Sequence, residues 1–245
     1  MDKILILHPM IQGVTKYKQF FSGQEDVDVV GLDYGPNIID TRLDQALAGL
    51  DSVKKVVEAE KAGYKAIVLT CHGDPNLYSL REAVRIPVLG SMQTAMHFCS
   101  LLAGRFSIMT TSEVYTKHSK EDLITRYGME SKITSIRPVP FPISLFEVGM
   151  ASMKRPIPSE IFEPALKECI RAIKEDGAEA LTFGCGAFLW MADELSKELK
   201  HQGFDVLALN PVPLTLEVAR FFVKHALSHS ALAFPLAQQV LPVNA

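Results

Sequence analysis

Ile67-Val68-Leu69-Thr70-Cys71-His72-Gly73-Asp74-Pro75 is the stretch whose reading decides the fold, and Ala180-Leu181-Thr182-Phe183-Gly184-Cys185-Gly186-Ala187 repeats it in the second half of the chain. Each is a short apolar run that ends in a cysteine and leads into a helix-like segment. An apolar run of this length, bounded by turn residues, reads as a strand buried on both faces of a parallel sheet. The strand-to-helix junction of such a sheet is where ligands bind. Two thiols facing one pocket can take a proton from one face of a carbon and return one to the other.

Outward from these runs, the first half alternates strands and helices. Strands are expected at 3–8, 27–32, 66–70 and 86–89, with helices over 41–62 and 74–84. In the first of these helices Leu43, Ala46, Leu47, Leu50, Val53 and Val57 make an apolar stripe expected to face the core, and Gly63 ends it. Asp74 reads as the N-cap of the second, with Pro75 in its first turn. The second half repeats the order. Strands at 105–110, 132–139, 180–183 and 206–209 alternate with helices over 161–172 and 187–199. The expected fold class is α/β, with two pseudo-symmetric lobes, each a short, mainly parallel sheet flanked by helices, and the active site in the cleft between them. Residues 1–97 and 210–245 make lobe one, and 98–209 make lobe two. The chain crosses over within 91–103. It returns at Asn210-Pro211-Val212-Pro213, and 214–227 packs back on lobe one. The last stretch, 231–245, is apolar but irregular. It either docks on the body or a partner subunit, or frays.

Composition narrows the function. With 245 residues, 48% hydrophobic and 22% charged, the chain is an ordinary globular protein with one large domain or two small ones. A net charge of −3 with scattered Lys and Arg excludes a nucleic-acid-binding stripe. The opening Met1-Asp2-Lys3 lacks the shape of a signal peptide. Residues 86–104 carry no Asp, Glu, Lys or Arg, but Pro87, Gly90, Gln93 and His97 interrupt them. They read as strand, turn and helix rather than a membrane span. The expected setting is cytoplasmic, with a small-molecule substrate and no nucleic-acid or membrane partner. Cysteines 71, 99, 169 and 185 have none of the close pair spacings of zinc sites, so no metal is assigned and reduced thiols are expected.

The two strand-end cysteines, Cys71 and Cys185, suit acid/base work. A single base returns a proton to the face it came from, whereas two groups on opposite faces racemise the carbon. Cysteine has a free pKa of about 8.5, which falls at a helix N-terminus, and both thiols read as sitting just before helices. This chemistry needs no metal or organic cofactor. The plainer reading is that free cysteines are small core residues. Equivalent positions in two repeats favour the functional reading. Cys99 and Cys169 fall on apolar helical stripes and read as core. His8 ends a strand at the expected cleft, where it either orients a substrate carbonyl or makes a strand-end hydrogen bond. His72 adjoins Cys71, where an imidazole can help to ionise the thiol. The stiff run from Arg137 to Pro142 either borders the entrance or is an extended connector.

With these motifs in view, the chain resembles the Asp/Glu/hydantoin racemase family, its hydantoin racemase branch above all. Gly35-Pro36-Asn37-Ile38 follows the second strand. Thr70 to Pro75 is similar to the branch's first cysteine motif, with Arg81-Glu82, Pro87-Val88-Leu89-Gly90 and Ala95-Met96-His97 beyond it. Arg105-Phe106-Ser107-Ile108-Met109-Thr110-Thr111 resembles the family's central strand ending in a Thr pair. Residues 175–180 lead into Gly184-Cys185, the second motif. The resemblance implies a two-lobed fold, cofactor-independent two-base racemisation, active-site cysteines at Cys71 and Cys185, and a homo-oligomer. It also implies that Thr110, Thr111 and backbone amides near the cysteines, such as that of Gly186, hold the substrate. The branch usually opens with Asn-Pro-Asn and then Thr or Ser. Here His8-Pro9-Met10-Ile11-Gln12 stands instead, which gives His8 and Gln12 the part of the missing polar hooks. The expected activity is racemisation or epimerisation of a 5-substituted hydantoin, allantoin or an amino acid. Two alternatives stay open: a cis–trans isomerase of an unsaturated diacid with a Cys nucleophile, and an inactive small-molecule binding protein of the same fold.

Overall fold

The computed structural model describes residues 2–111, 114–142 and 144–238 of the chain. It divides into two compact units, Met1–Ser91 with Thr215–Ala245, and Met92–Leu214. The first unit runs β1 (Ile4–Leu7), α1 (Val14–Phe20), β2 (Val27–Val30), α2 (Arg42–Lys61), β3 (Ala66–Leu69), α3 (Leu77–Ala83) and β4 (Val88–Gly90). Then come α4 (Ser91–Leu102), β5 (Phe106–Thr111), α5 (Val114–Arg126), β6 (Ile133–Val139), α6 (Leu145–Ala151), α7 (Ser159–Lys174) and β7 (Ala180–Phe183). A 3₁₀ turn at Gly186–Phe188, α8 (Ala192–His201), β8 (Leu207–Leu209) and α9 (Pro211–Lys224) complete the regular elements among the described residues. Each unit holds a four-stranded parallel sheet, ordered β2-β1-β3-β4 in one and β6-β5-β7-β8 in the other. The α/β architecture, with one plan of alternating strands and helices repeated in both halves, is as the sequence led one to expect.

The strands form where apolar residues run without interruption. All of β1, β3, β5 and β7 is buried. Alternate residues feed opposite layers, as a strand's two-residue period requires. In the second unit Phe106, Ile108 and Ala180 pack with α4 and α5, whereas Met109, Leu181 and Phe183 pack with α7 and α8. Pro138 is tolerated because β6 is an edge strand. The run from Arg137 therefore begins as strand and not as loop.

Three local expectations are corrected. On α2 the expected stripe faces outward, with Leu43, Leu47 and Leu50 at 66%, 54% and 58% exposure. The helix instead buries Ala48, Asp51, Ser52, Val56 and Ala59. Small side chains let it lie close to the sheet, and the amides of Asp33 (2.6 Å) and Tyr34 (3.4 Å) draw in the Asp51 carboxylate. Asp74 does not cap α3. Its backbone is left-handed (φ 42°), its carboxylate is fully buried, and α3 starts only at Leu77. The helix expected from residue 187 is a 3₁₀ turn first, and α8 begins at Ala192.

The C-terminal stretch docks on the first unit as far as it is described. His229 Nε2 lies 3.1 Å from the backbone N and 2.9 Å from the backbone O of Val88, on the outer edge of β4. Ala237 N donates to Glu82 O, and Arg85 donates to Phe234 O. The guanidinium of Arg81 stands over the rings of Phe234 and Tyr78. Residues 239–245 lie outside the described part. No helix among the described residues is long and apolar enough to cross a membrane.

Candidate active site

In each sheet the chain winds first to one side and then to the other, so strand order reverses between β1 and β3 and again between β5 and β7. In open parallel sheets ligands bind beyond the strands' carboxyl ends at such a reversal. His8 follows β1 there, and Thr70-Cys71-His72 follows β3. In the second unit Thr110 and Thr111 end β5, and Gly184-Cys185-Gly186 follows β7. The sequence-predicted site residues thus gather at two equivalent points of two equivalent sheets.

In the first unit His8 is buried and bridges the reversal point. Its Nδ1 lies 2.7 Å from Thr70 Oγ1, and its Nε2 lies 2.8 Å from the backbone O of Gln12. A carbonyl only accepts, so Nε2 carries the ring proton and Nδ1 accepts from the Thr70 hydroxyl. Burial, with help from the Lys16 charge, pushes the His8 pKa down to about 3, so the ring is neutral. Both nitrogens are engaged within the protein. The Gln12 side chain is exposed, and only its backbone joins this network.

Cys71 is half-buried and opens a tight turn in which Asp74 N donates to Cys71 O. A Cβ built on Gly73 would stand 3.7 Å from Cys71 Sγ and 3.0 Å from Gln45 Nε2. Glycine here leaves room for both the thiol and the Gln45 amide. Asn76 Nδ2 donates to Gln45 O at 2.5 Å and ties α2 to the same turn. His72 is buried beside it. Asp74 fits only because Gly90 has no side chain: a Cβ there would meet Asp74 Cγ and Leu77 Cδ2 at 2.7 Å. Ser91 follows, fully buried, its hydroxyl without a hydrogen-bond partner among the described residues.

In the second unit Cys185 is also half-buried, in extended conformation, and its carbonyl accepts from Phe188 N to start the 3₁₀ turn. Gly186 is half-buried at the head of that turn. Neither thiol therefore sits at the first turn of an α-helix, and turn amides replace the expected helix dipole. Asn210 follows β8, is 8% exposed and donates through Nδ2 to Leu189 O at 2.9 Å, holding the far end of the Cys185 turn. Thr110 and Thr111 are fully buried, and neither hydroxyl has a hydrogen-bond partner among the described residues. A buried hydroxyl left so costs about 1–3 kcal/mol. Lys120 of α5 is also buried. A Cβ on Gly184 would lie 2.9 Å from its Cε and 3.0 Å from Ile108 Cγ2.

Burial divides the four thiols into two kinds. Cys99 and Cys169 are fully buried, and burial pushes each pKa up to about 12, with Glu168 adding to the effect at Cys169. Cys71 and Cys185 alone are half-buried. Sequence reasoning passed over Gln45, Ser91, Lys120 and Asn210. Gln45 lay off the α2 stripe that was read as core-facing. Ser91 and Asn210 each follow the last strand of a half, and that repeated position was the available signal.

The family model described as Asp/Glu/Hydantoin racemase matches residues 10–219. A hydantoin racemase of Pseudomonas sp. (strain NS671) is 31% identical over 204 residues, 80% of this chain and 78% of that protein. Another, of Paenarthrobacter aurescens, is 31% identical over 199 residues, again 80% and 78%. Among solved structures, an allantoin racemase from Klebsiella pneumoniae matches with a TM-score of 0.82. It covers 99% of this chain and 97% of that chain at 24% identity, a likeness of fold.

Proposed function

The chain belongs to the Asp/Glu/hydantoin racemase family and is an isomerase of racemase type, and on that premise we propose that it inverts a carbon next to a carbonyl with two thiols and no cofactor. One observation carries the reading: of four cysteines, only the two at the strand-order reversals are half-buried. The thiolate of one cysteine takes the proton from the carbon and becomes a thiol. The electron pair left behind delocalises into the carbonyl as an enolate. The other cysteine's thiol gives its proton to the opposite face and becomes the thiolate. The next substrate of opposite hand runs the steps in reverse.

The substrate is a small carbon acid with polar groups flanking the stereocentre: a 5-substituted hydantoin, allantoin or an amino acid. The buried hydroxyls of Thr110 and Thr111 suit those polar groups, since each lacks a partner among the described residues. Turn amides beside Cys71 and Cys185, that of Gly186 among them, meet the oxygen on which charge develops. The mechanism requires reduced sulfur, which suits the cytoplasm. The outward row Leu43, Leu47 and Leu50 receives a second copy of this chain. It exposes apolar surface on the order of several hundred Å², the scale of a functional patch and a large share of one side of a stable interface.

The deciding experiment is racemisation of single-enantiomer hydantoins, allantoin and amino acids in D₂O. Inversion with deuterium at the stereocentre, lost in both Cys71→Ala and Cys185→Ala, is the expected result. Inversion without deuterium would overturn the two-thiol mechanism.

A further inference from the structure

The strand-end histidine sits in a closed hydrogen-bonded frame that the proposed chemistry does not use. Asp51 Oδ2 accepts from Asp33 N and anchors the loop after β2. That loop accepts in turn from the loop after β1: Ile11 N donates to Pro36 O at 3.1 Å and Gln12 N to Asn37 O at 3.2 Å. Gln12 O then receives the His8 Nε2 proton, and His8 Nδ1 receives the Thr70 hydroxyl proton. Gly13, at φ 87°, lies against the ring edge, where a Cβ would stand 3.2 Å from His8 Nε2. Tyr17 packs beside the ring at 4.8 Å between centroids. Thr70 N donates to Leu7 O, so both its backbone and its hydroxyl are held to the β1 side. The next residue is Cys71.

We infer that His8 is a positioning residue: its ring ties the loop after β1 to the Thr70 hydroxyl and so fixes the strand end from which the Cys71 thiol projects. The inference rests on the reading of Cys71 as one of the two acid/base groups. A bond from each ring nitrogen makes the two halves of the latch separable. Asn at position 8 puts an acceptor near the place of Nδ1 and keeps the Thr70 bond. Gln puts a donor near the place of Nε2 and keeps the Gln12 bond.

The test compares His8→Asn, His8→Gln, His8→Ala and Thr70→Val. Two quantities are read: kcat and KM for racemisation, and the iodoacetamide labelling rate of Cys71 against that of Cys185 in the same molecule. Loss of one neutral hydrogen bond is worth about tenfold. His8→Gln and Thr70→Val are expected to lower kcat and Cys71 labelling by about that factor, with Cys185 labelling steady. His8→Asn should recover most of what His8→Ala loses. Equal losses in the Asn and Gln variants, Cys71 labelling unchanged in Thr70→Val, or a parallel fall at Cys185 would overturn the inference. If His8→Ala does not fold, Thr70→Val decides. A wild-type protein that racemises nothing would sink the two-thiol reading, yet the labelling arm would still judge the latch. A wild type that racemises, with His8→Gln unaffected, would sink the latch alone.

Discussion

Thr70 and Gly184 make the same backbone hydrogen bond in their two sheets: Thr70 N donates to Leu7 O at 3.1 Å, and Gly184 N donates to Met109 O at 2.6 Å. Each is the residue before a half-buried cysteine. The strand registers agree, since Leu7 faces Leu69 as Met109 faces Phe183. The halves differ in what packs around that bond. In the first, the Thr70 hydroxyl engages His8. In the second there is no side chain, and the stem of Lys120 lies where one would be. Two thiols with one backbone setting therefore have different neighbours.

Single-cysteine variants should separate the two faces of the reaction. Cys71→Ala and Cys185→Ala should each lose racemisation by at least about a thousandfold, because a general base contributes on that order. Each should still exchange the α-proton of one enantiomer, since the surviving thiol returns deuterium to the face it left. NMR of each enantiomer in D₂O reads this. Exchange of both enantiomers by one variant would contradict a face-specific pair.

Thiol labelling should follow burial. At neutral pH iodoacetamide should modify Cys71 and Cys185 well before Cys99 and Cys169, whose pKa of about 12 leaves almost no thiolate. Peptide mass mapping over a time course gives the order, and early labelling of Cys99 would contradict it.

Stability should fall with acid below about pH 6.5. His8 and His229 both have lowered pKa values, to about 3 and about 4, chiefly because burial disfavours the charged ring. Between those values and 6.5 the unfolded chain binds protons that the folded one does not, so unfolding becomes easier as pH drops. The fully buried His8 alone gives a slope of about 1.4 kcal/mol per pH unit in that window, and His229 acts in the same direction. Urea unfolding at pH 7.0, 5.5 and 4.5 measures it. A flat profile would mean that the His8 ring opens to solvent.

Gly90→Ala should cost about 1–3 kcal/mol, because its methyl would lie 2.7 Å from both Asp74 Cγ and Leu77 Cδ2. The turn carrying Cys71 must shift to admit it, so activity should fall with stability. Thermal unfolding and kcat measured on the same sample show whether the two move together.

Leu47→Glu on α2 should leave the fold intact and reduce the molecular mass seen by light scattering, since Leu47 is over half exposed in the isolated chain. An unchanged mass would remove α2 from the proposed contact between copies.

Much of this architecture was legible because parallel strands must be apolar throughout. The runs at 66–69 and 180–183 left little choice of fold, and the glycines and cysteines after them marked the carboxyl ends of the strands, where open parallel sheets bind ligands. The α2 stripe misled because hydrophobicity alone does not say which face turns inward. There Asp51 is buried for its hydrogen bonds with Asp33 and Tyr34 amides. The helices α1 and α5 gave no stripe, being rich in Lys, Thr and Gln or in Lys, Asp and Glu. The left-handed backbone of Asp74 had no signal either, since Asp-Pro is also a common helix opening. The role of His8 depended on Gln12 O and Thr70 Oγ1, the second of them 62 residues away along the chain, and no local pattern records that pairing.

The contact of His229 with both polar atoms of Val88 has a practical corollary. That margin of the first sheet would otherwise present the Val88 amide to any passing strand. A chain cut before residue 229 loses this seal, and its clumping would come from the bared margin, whatever state of assembly the intact enzyme adopts.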